Sequence, residues 1–130
     1  MGDTAVPLAG GSSVTAIEWD RDAVASFSGK LAHPSRAIAG RVEDHIGAAL
    51  PADVVILNPP RSGVDARVSA ALQGAAARPR AILYVSCDPA TLSRDLARMP
   101  AYRIESVRGY DMFPQTAHVE TVCELVPEAA

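Results

Sequence analysis

Two rhythms of apolar positions take turns along the chain: short unbroken apolar runs, and stretches in which apolar residues return every three or four positions. The first suits a strand covered on both faces, the second a helix with one buried side. "VTAIE", Val14 to Glu18, is a short β-rich run ending in an acid, and Asp22 to Leu31 carries Ala, Val, Phe and Leu at helical spacing. Ala37 to Val42 predicts a second short strand, with "EDHIGAAL" behind it as a weak helix. "DVVILNPP", from Asp53, is a continuous apolar run stopped by two prolines. Asp65 to Ala77 reads as a helix with Asp65 as its N-cap, and "AILYVS", Ala81 to Ser86, as another buried strand. Asp88 can cap a further helix whose first residue is Pro89, where a missing N–H costs nothing, and which runs to about Met99. "YRIESVRGYDMF" and "HVETVCELV" predict two strands forming an antiparallel pair at one edge.

Strands alternating with helices predict an open α/β sheet, in which ligands bind beyond the carboxyl ends of the strands. Glu18, Asn58 and Cys87 each stand at such an end. The sequence has no internal repeat and no low-complexity linker, and its last residues, "PEAA", are expected to fray.

At 130 residues, with 48% hydrophobic and 21% charged, the chain has room for one domain with a true core. Its net charge of −3 draws it toward neither nucleic acid nor an anionic membrane, so a nucleic-acid partner needs a local patch. The two cysteines, Cys87 and Cys123, lie far apart and lack the paired spacing of a metal site, so no metal is expected. No apolar run approaches the roughly 18 to 20 residues that span a bilayer. The amino-terminus shows no charged-then-apolar signal segment. A soluble, reduced, cytoplasmic protein with no membrane partner is the expectation.

Four features carry candidate chemistry. Cys87 lies at the mouth of a buried strand and directly before a capped helix, where unpaired N–H groups and the helix dipole favour a thiolate; its other reading is a small buried hydrophobe. In "NPPR", Asn58 to Arg61, two prolines hold the chain extended so that the Asn58 amide, donor and acceptor together, suits the edge of a nucleobase; alternatively Asn58 only makes a turn. "FPQTAHVE", Phe113 to Glu120, leads into the last strand, where Glu120 could act as a general base, although His118 and Glu120 taken singly read as surface residues. Glu18 stands where a carboxylate receives ribose hydroxyls in nucleotide-binding sheets, and equally where many surface strands end in Glu.

Taken together, "DVVILNPPRSGV", "ILYVSCDPATLSRDL" and "YDMFPQTAHVETVCEL" resemble, in order and spacing, the carboxyl-terminal half of the RNA uracil-5-methyltransferase family. The resemblance implies a class I, Rossmann-like methyltransferase fold with a mostly parallel sheet and an antiparallel edge pair. It implies S-adenosyl-L-methionine as cofactor and a uridine of transfer or ribosomal RNA as substrate. It makes Cys87 the nucleophile, Glu120 the base, Glu18 the ligand of the cofactor ribose, and Asn58 a contact to the cofactor or target base, with Arg61 of the same motif at the substrate. Two departures stand out. The family has Asp where this chain has Asn58, which resembles instead the N-P-P motif of amino-group methyltransferases. The family's first strand and glycine-rich loop precede the segment ending in Glu18, and "MGDTAVPLAGGSS" begins too late to hold them; "TAVPLAGG" resembles the helix that follows that loop. On this reading residues 1–130 are one truncated catalytic domain without RNA-binding amino-terminal domains. An amino-terminal segment or partner chain would complete it; the alternatives are a non-catalytic remnant or partner-dependent domain that keeps the fold, and an amino-group methyltransferase using the N-P-P motif.

Overall fold

The computed structural model describes the backbone of residues 2–112 and 114–129, with side chains from Thr4 onward. The chain divides into two compact units, Met1–Leu50 and Pro51–Ala130.

In the first unit, α1 (Gly2–Ala9), β1 (Thr15–Glu18), α2 (Arg21–Ser28), β2 (Arg36–Ala39) and α3 (Val42–Ala49) follow one another. β1 and β2 pair in parallel, from Thr15↔Arg36 to Glu18↔Ala39. Ala5, Ala16 and Phe27 form the buried centre, with Val6, Val14, Val24, Leu31 and Ala37 packed around it. α2 begins one residue earlier than its periodicity suggests, because Asp20 is the N-cap: its Oδ1 accepts from the N–H groups of Asp22 and Ala23 at 2.9 and 3.2 Å. β2 ends at Ala39, short of the expected Val42, because the chain turns at Gly40 and Val42 already opens α3. A Cβ on Gly40 would collide with the His45 ring, so glycine permits this tight entry.

The second unit contains β3 (Val54–Leu57), α4 (Ala66–Gly74), β4 (Ala81–Ser86), α5 (Pro89–Leu96), β5 (Tyr102–Tyr110) and β6 (Glu120–Pro127). The sheet order is β3-β4-β6-β5. β3 and β4 are parallel, whereas β6 runs antiparallel to β4 and to β5. The last two strands thus form the antiparallel pair at the edge, and the sheet as a whole is mixed. β1 and β3 each terminate a sheet, with one strand partner among the described residues.

Asp65 and Asp88 cap α4 and α5 as their positions predict, and Pro89 opens α5. Both helices end about three residues before the expected points, at Gly74 and Leu96. Leu72, Ile82, Tyr84, Met99, Cys123 and Leu125 form the centre of the core, all at most 2% exposed. At such burial each large apolar side chain contributes roughly 1.5 to 3 kcal/mol. Tyr102 is buried with them, its hydroxyl donating to the Leu72 carbonyl at 3.1 Å.

Candidate active site

The carboxyl ends of β3 and β4 and the start of β6 meet at one edge of the second unit's sheet. Leu57, the last residue of β3, lies opposite Tyr84, so Asn58 leaves its strand beside the last residues of β4. Ser86, the last residue of β4, lies opposite Thr121. Cys87 follows Ser86 and Glu120 precedes Thr121, so the antiparallel register brings them to the same level on neighbouring strands. Asn58, Cys87 and Glu120 are therefore gathered at one edge, as the sequence expects of Asn58 and Cys87. Asn58 is exposed, while Cys87 and Glu120 are half-buried.

The turn that carries Cys87 is tied on both sides. Buried Ser86 donates its hydroxyl to the Asp88 carbonyl at 2.9 Å and accepts from the Asp88 N–H at 3.1 Å, bridging over the cysteine. Asp88 Oδ1 accepts from the N–H groups of Ala90 and Thr91 at 3.0 and 3.2 Å. This changes the reading of Cys87: the helix N–H groups expected to favour its thiolate are taken up by the Asp88 carboxylate. The cysteine sits outside the cap rather than on it. The other thiol, Cys123, is fully buried in β6, and burial pushes its pKa up.

Behind this edge lies a polar cluster. Asp95 is fully buried. Its Oδ2 accepts from the Tyr84 hydroxyl at 2.6 Å and from the Val64 N–H at 2.8 Å, and its Oδ1 from Arg94 Nε and Nη2 at 3.0 and 2.7 Å. Burial alone would raise the Asp95 pKa, but the bonds from Tyr84, Val64 and Arg94 outweigh it and hold the carboxyl below its ordinary range. Burial, and then the bond to Asp95, push the Tyr84 phenol well above its usual value. α5 and the turn after it grip the loop after β3. Thr91 Oγ1 donates to the Arg61 carbonyl at 3.0 Å, Arg94 Nη2 to that of Ser62 at 2.7 Å, and Arg98 Nη1 reaches that of Val64 at 3.5 Å. Gly63, at φ +83°, lies so close that a Cβ would overlap Asp95, Arg94 and Thr91. The "NPPR" loop is thus fastened to the helix that begins beside Cys87.

Sequence reasoning passed over Ser86, Gly63 and Asp95. For Asp95 a signal existed: it stands three residues after Leu92 and four before Met99, a carboxylate within the apolar stripe of α5. Arg61 is exposed at the end of its motif. His118 is exposed, its backbone N–H donating to Thr116 Oγ1 at 3.3 Å, and Gln115 turns this loop at φ 66°. Phe113 of the same motif lies outside the described residues. In the first unit, Glu18 ends β1 half-exposed, its Oε1 accepting from the Asp20 N–H at 3.3 Å. An apolar groove of about 380 Å³, lined by Pro89, Leu92, Leu96, Ile104, Val107 and Cys123 among others, contains none of the candidate residues. Among the described residues no cluster of His, Cys, Asp and Glu could hold a metal, and no helix is long and apolar enough to cross a membrane.

Two solved structures share this architecture. The Pyrococcus abyssi tRNA (uracil-54, C5)-methyltransferase, solved in complex with S-adenosyl-L-homocysteine, superimposes with a TM-score of 0.77 over 94% of this chain and 30% of its own, at 28% identity. TrmN of Thermus thermophilus matches with a TM-score of 0.59 over 90% of this chain and 37% of its own, at 22% identity, a likeness of fold alone. The fold is that of the α/β methyltransferases. The sequence narrows this further, since the profile of the tRNA (Uracil-5-)-methyltransferase family matches residues 32–126; the chain belongs to that family. An uncharacterized RNA methyltransferase of Protochlamydia amoebophila is 40% identical over 96% of this chain and 31% of its own length. The 23S rRNA (uracil(747)-C(5))-methyltransferase of Shewanella amazonensis is 47% identical over 60% of this chain and 20% of its own. The chain thus spans less than a third of these relatives.

Proposed function

We infer that this chain carries the catalytic portion of an RNA uracil-5-methyltransferase, acting on a uridine of transfer or ribosomal RNA with S-adenosyl-L-methionine as cofactor. The observation that supports it, beside family membership, is the strand register that brings the levels of Cys87 and Glu120 together at the edge where Asn58 emerges.

Carbon 5 of uracil is a poor nucleophile until carbon 6 has been attacked. Cys87, as thiolate, forms a bond from Sγ to carbon 6, and the displaced electron pair makes carbon 5 an enolate carbon. When bound, S-adenosyl-L-methionine supplies an electrophilic methyl group, which carbon 5 takes up. Glu120 then removes the proton from carbon 5, and the pair left behind restores the ring double bond as the bond to Cys87 breaks. One difficult step becomes several easier ones, and the thiolate is regenerated. The Asn58 amide offers a donor and an acceptor to the base, and Arg61 lies next to it in the same loop. The target base must leave its stack to reach this edge. The Glu18 carboxylate suits the ribose hydroxyls of the cofactor: one oxygen is held by the Asp20 N–H, and the other accepts nothing among the described residues.

The test is adduct formation with RNA carrying 5-fluorouridine in the presence of S-adenosyl-L-methionine. Fluorine cannot leave carbon 5 as a proton does, so a denaturation-stable protein–RNA adduct should accumulate. Cys87→Ser should form none. Glu120→Gln should methylate ordinary uridine yet remain attached to it. Methyl transfer by Cys87→Ser, normal turnover by Glu120→Gln, or no adduct with the unaltered chain would overturn the assignment.

A further inference from the structure

We propose that Arg61, Arg94 and Arg98 form a phosphate-binding surface for single-stranded RNA, alongside the loop that presents Asn58. The inference rests on the reading of the partner as RNA and adds where its backbone is held.

The chain carries a net charge of −3, so attraction to a polyanion requires local accumulation of positive charge. Around the loop after β3 such accumulation exists. Arg61 is exposed on the loop itself, and the side chains of Arg94, on α5, and Arg98, in the turn after it, are 47% and 39% exposed. The carboxylates nearby, Asp65, Asp88 and Asp95, are outnumbered by Arg61, Arg67, Arg94 and Arg98, and each is already engaged. Asp95 is buried beneath the arginines, Asp65 pairs with Arg67 at 3.3 Å, and Asp88 Oδ1 caps α5. Each guanidinium has five N–H donors. Arg94 uses Nε and Nη2 on Asp95 and Ser62, which leaves Nη1 without an acceptor among the described residues. Arg98 directs only Nη1 inward, to Val64 and Asp95 at 3.5 Å. The short inner bonds of Arg94 fix its guanidinium before any ligand arrives, which lowers the ordering cost of gripping a phosphate. Asn58 stands three residues before Arg61, so a strand whose phosphates rest on this surface has a base within reach of that amide. A single strand fits better than a duplex, because its bases are already free to turn inward.

The experiment is fluorescence anisotropy of the whole chain with a labelled oligouridylate over a series of salt concentrations. Arg61→Gln and Arg98→Gln should each weaken binding several-fold at low salt. Each should also flatten the dependence of log K on log salt by about 0.7, the loss of one phosphate contact to a single strand. Arg98→Lys, which retains the charge, should restore most of the slope. The double variant Arg78→Gln/Arg80→Gln, at the opposite end of β4, should change neither quantity, and thermal melts should show all variants folded. No oligouridylate binding at low salt, unchanged slopes in the Arg61 and Arg98 variants, or equal displacement by polyglutamate would overturn the proposal. The two readings fail separately. Salt-dependent binding without any 5-fluorouridine adduct would sink the catalytic reading alone, and an adduct formed with slopes indifferent to these arginines would sink this one alone.

Discussion

Replacing Gly63 by alanine tests the fastening of the "NPPR" loop directly. The residue adopts φ +83°, where a side chain costs about 1 kcal/mol in backbone energy. The added methyl would also overlap the Asp95 carboxylate, the Arg94 guanidinium and the Thr91 methyl group. Asp95 is fully buried and bonded on both oxygens, so it cannot swing aside without loss. Surrendering its bond to the Val64 N–H removes about 2 kcal/mol, the usual contribution of a hydrogen bond to a charged group. The sum is about 3 kcal/mol, a sizeable share of the roughly 5 to 15 kcal/mol that holds a domain together. Urea denaturation followed by far-ultraviolet circular dichroism should show the midpoint falling accordingly. Gly74→Ala is the control: its added Cβ meets nothing, and it should be neutral or slightly stabilising. A Gly63→Ala protein within 1 kcal/mol of the unaltered chain would refute the account, as would strict additivity with Asp95→Asn, since the two residues share one contact.

Two further outcomes follow from the polar cluster and the two thiols. The folded-state pKa of Asp95 is lowered, so its contribution is complete above the unfolded carboxyl value of about 3.9 and is lost as pH falls from there through the folded value; urea midpoints measured from pH 7 down to 2.5 should fall more steeply in this range for the unaltered chain than for Asp95→Asn. A thiol reagent should label one cysteine in the native protein, half-buried Cys87, and reach Cys123 only on unfolding; Cys87→Ser should abolish the native reaction, and fast labelling that survives this change would contradict the burial of Cys123.

The order of strands and helices is written plainly in the sequence because each element carries its own periodicity and most carry their own cap. Asp65, Asp88 and Pro89 fix two helix starts by local chemistry alone, and the positions of Asn58 and Cys87 follow from where two apolar runs stop. Contacts between elements are less legible. Asp20 rather than Asp22 starts α2, because capping depends on which carboxylate can reach back to the free N–H groups. The fate of the N–H groups before α5 depends on the rotamer of Asp88. Nothing local to residues 61–64 announces that Thr91, Arg94, Asp95 and Arg98 will hold them, since that requires α5 to lie against the loop. The level of Glu120 relative to Cys87 likewise depends on β6 entering the sheet beside β4, a pairing that no single segment encodes.

That insertion of β6 has a consequence for how such a protein can diversify. The connection from Tyr110 to Glu120 is pinned at both feet by the ladder between β5 and β6, and its second foot stands at the edge where Cys87 lies. Closing a longer loop between fixed feet adds only about 0.6 kcal/mol for each doubling of its length. The length of this connection can therefore change at small energetic cost while Glu120 keeps its station. A scaffold of this kind can vary one surface connection while the strand register that sets Cys87 and Glu120 at one level stays as it is.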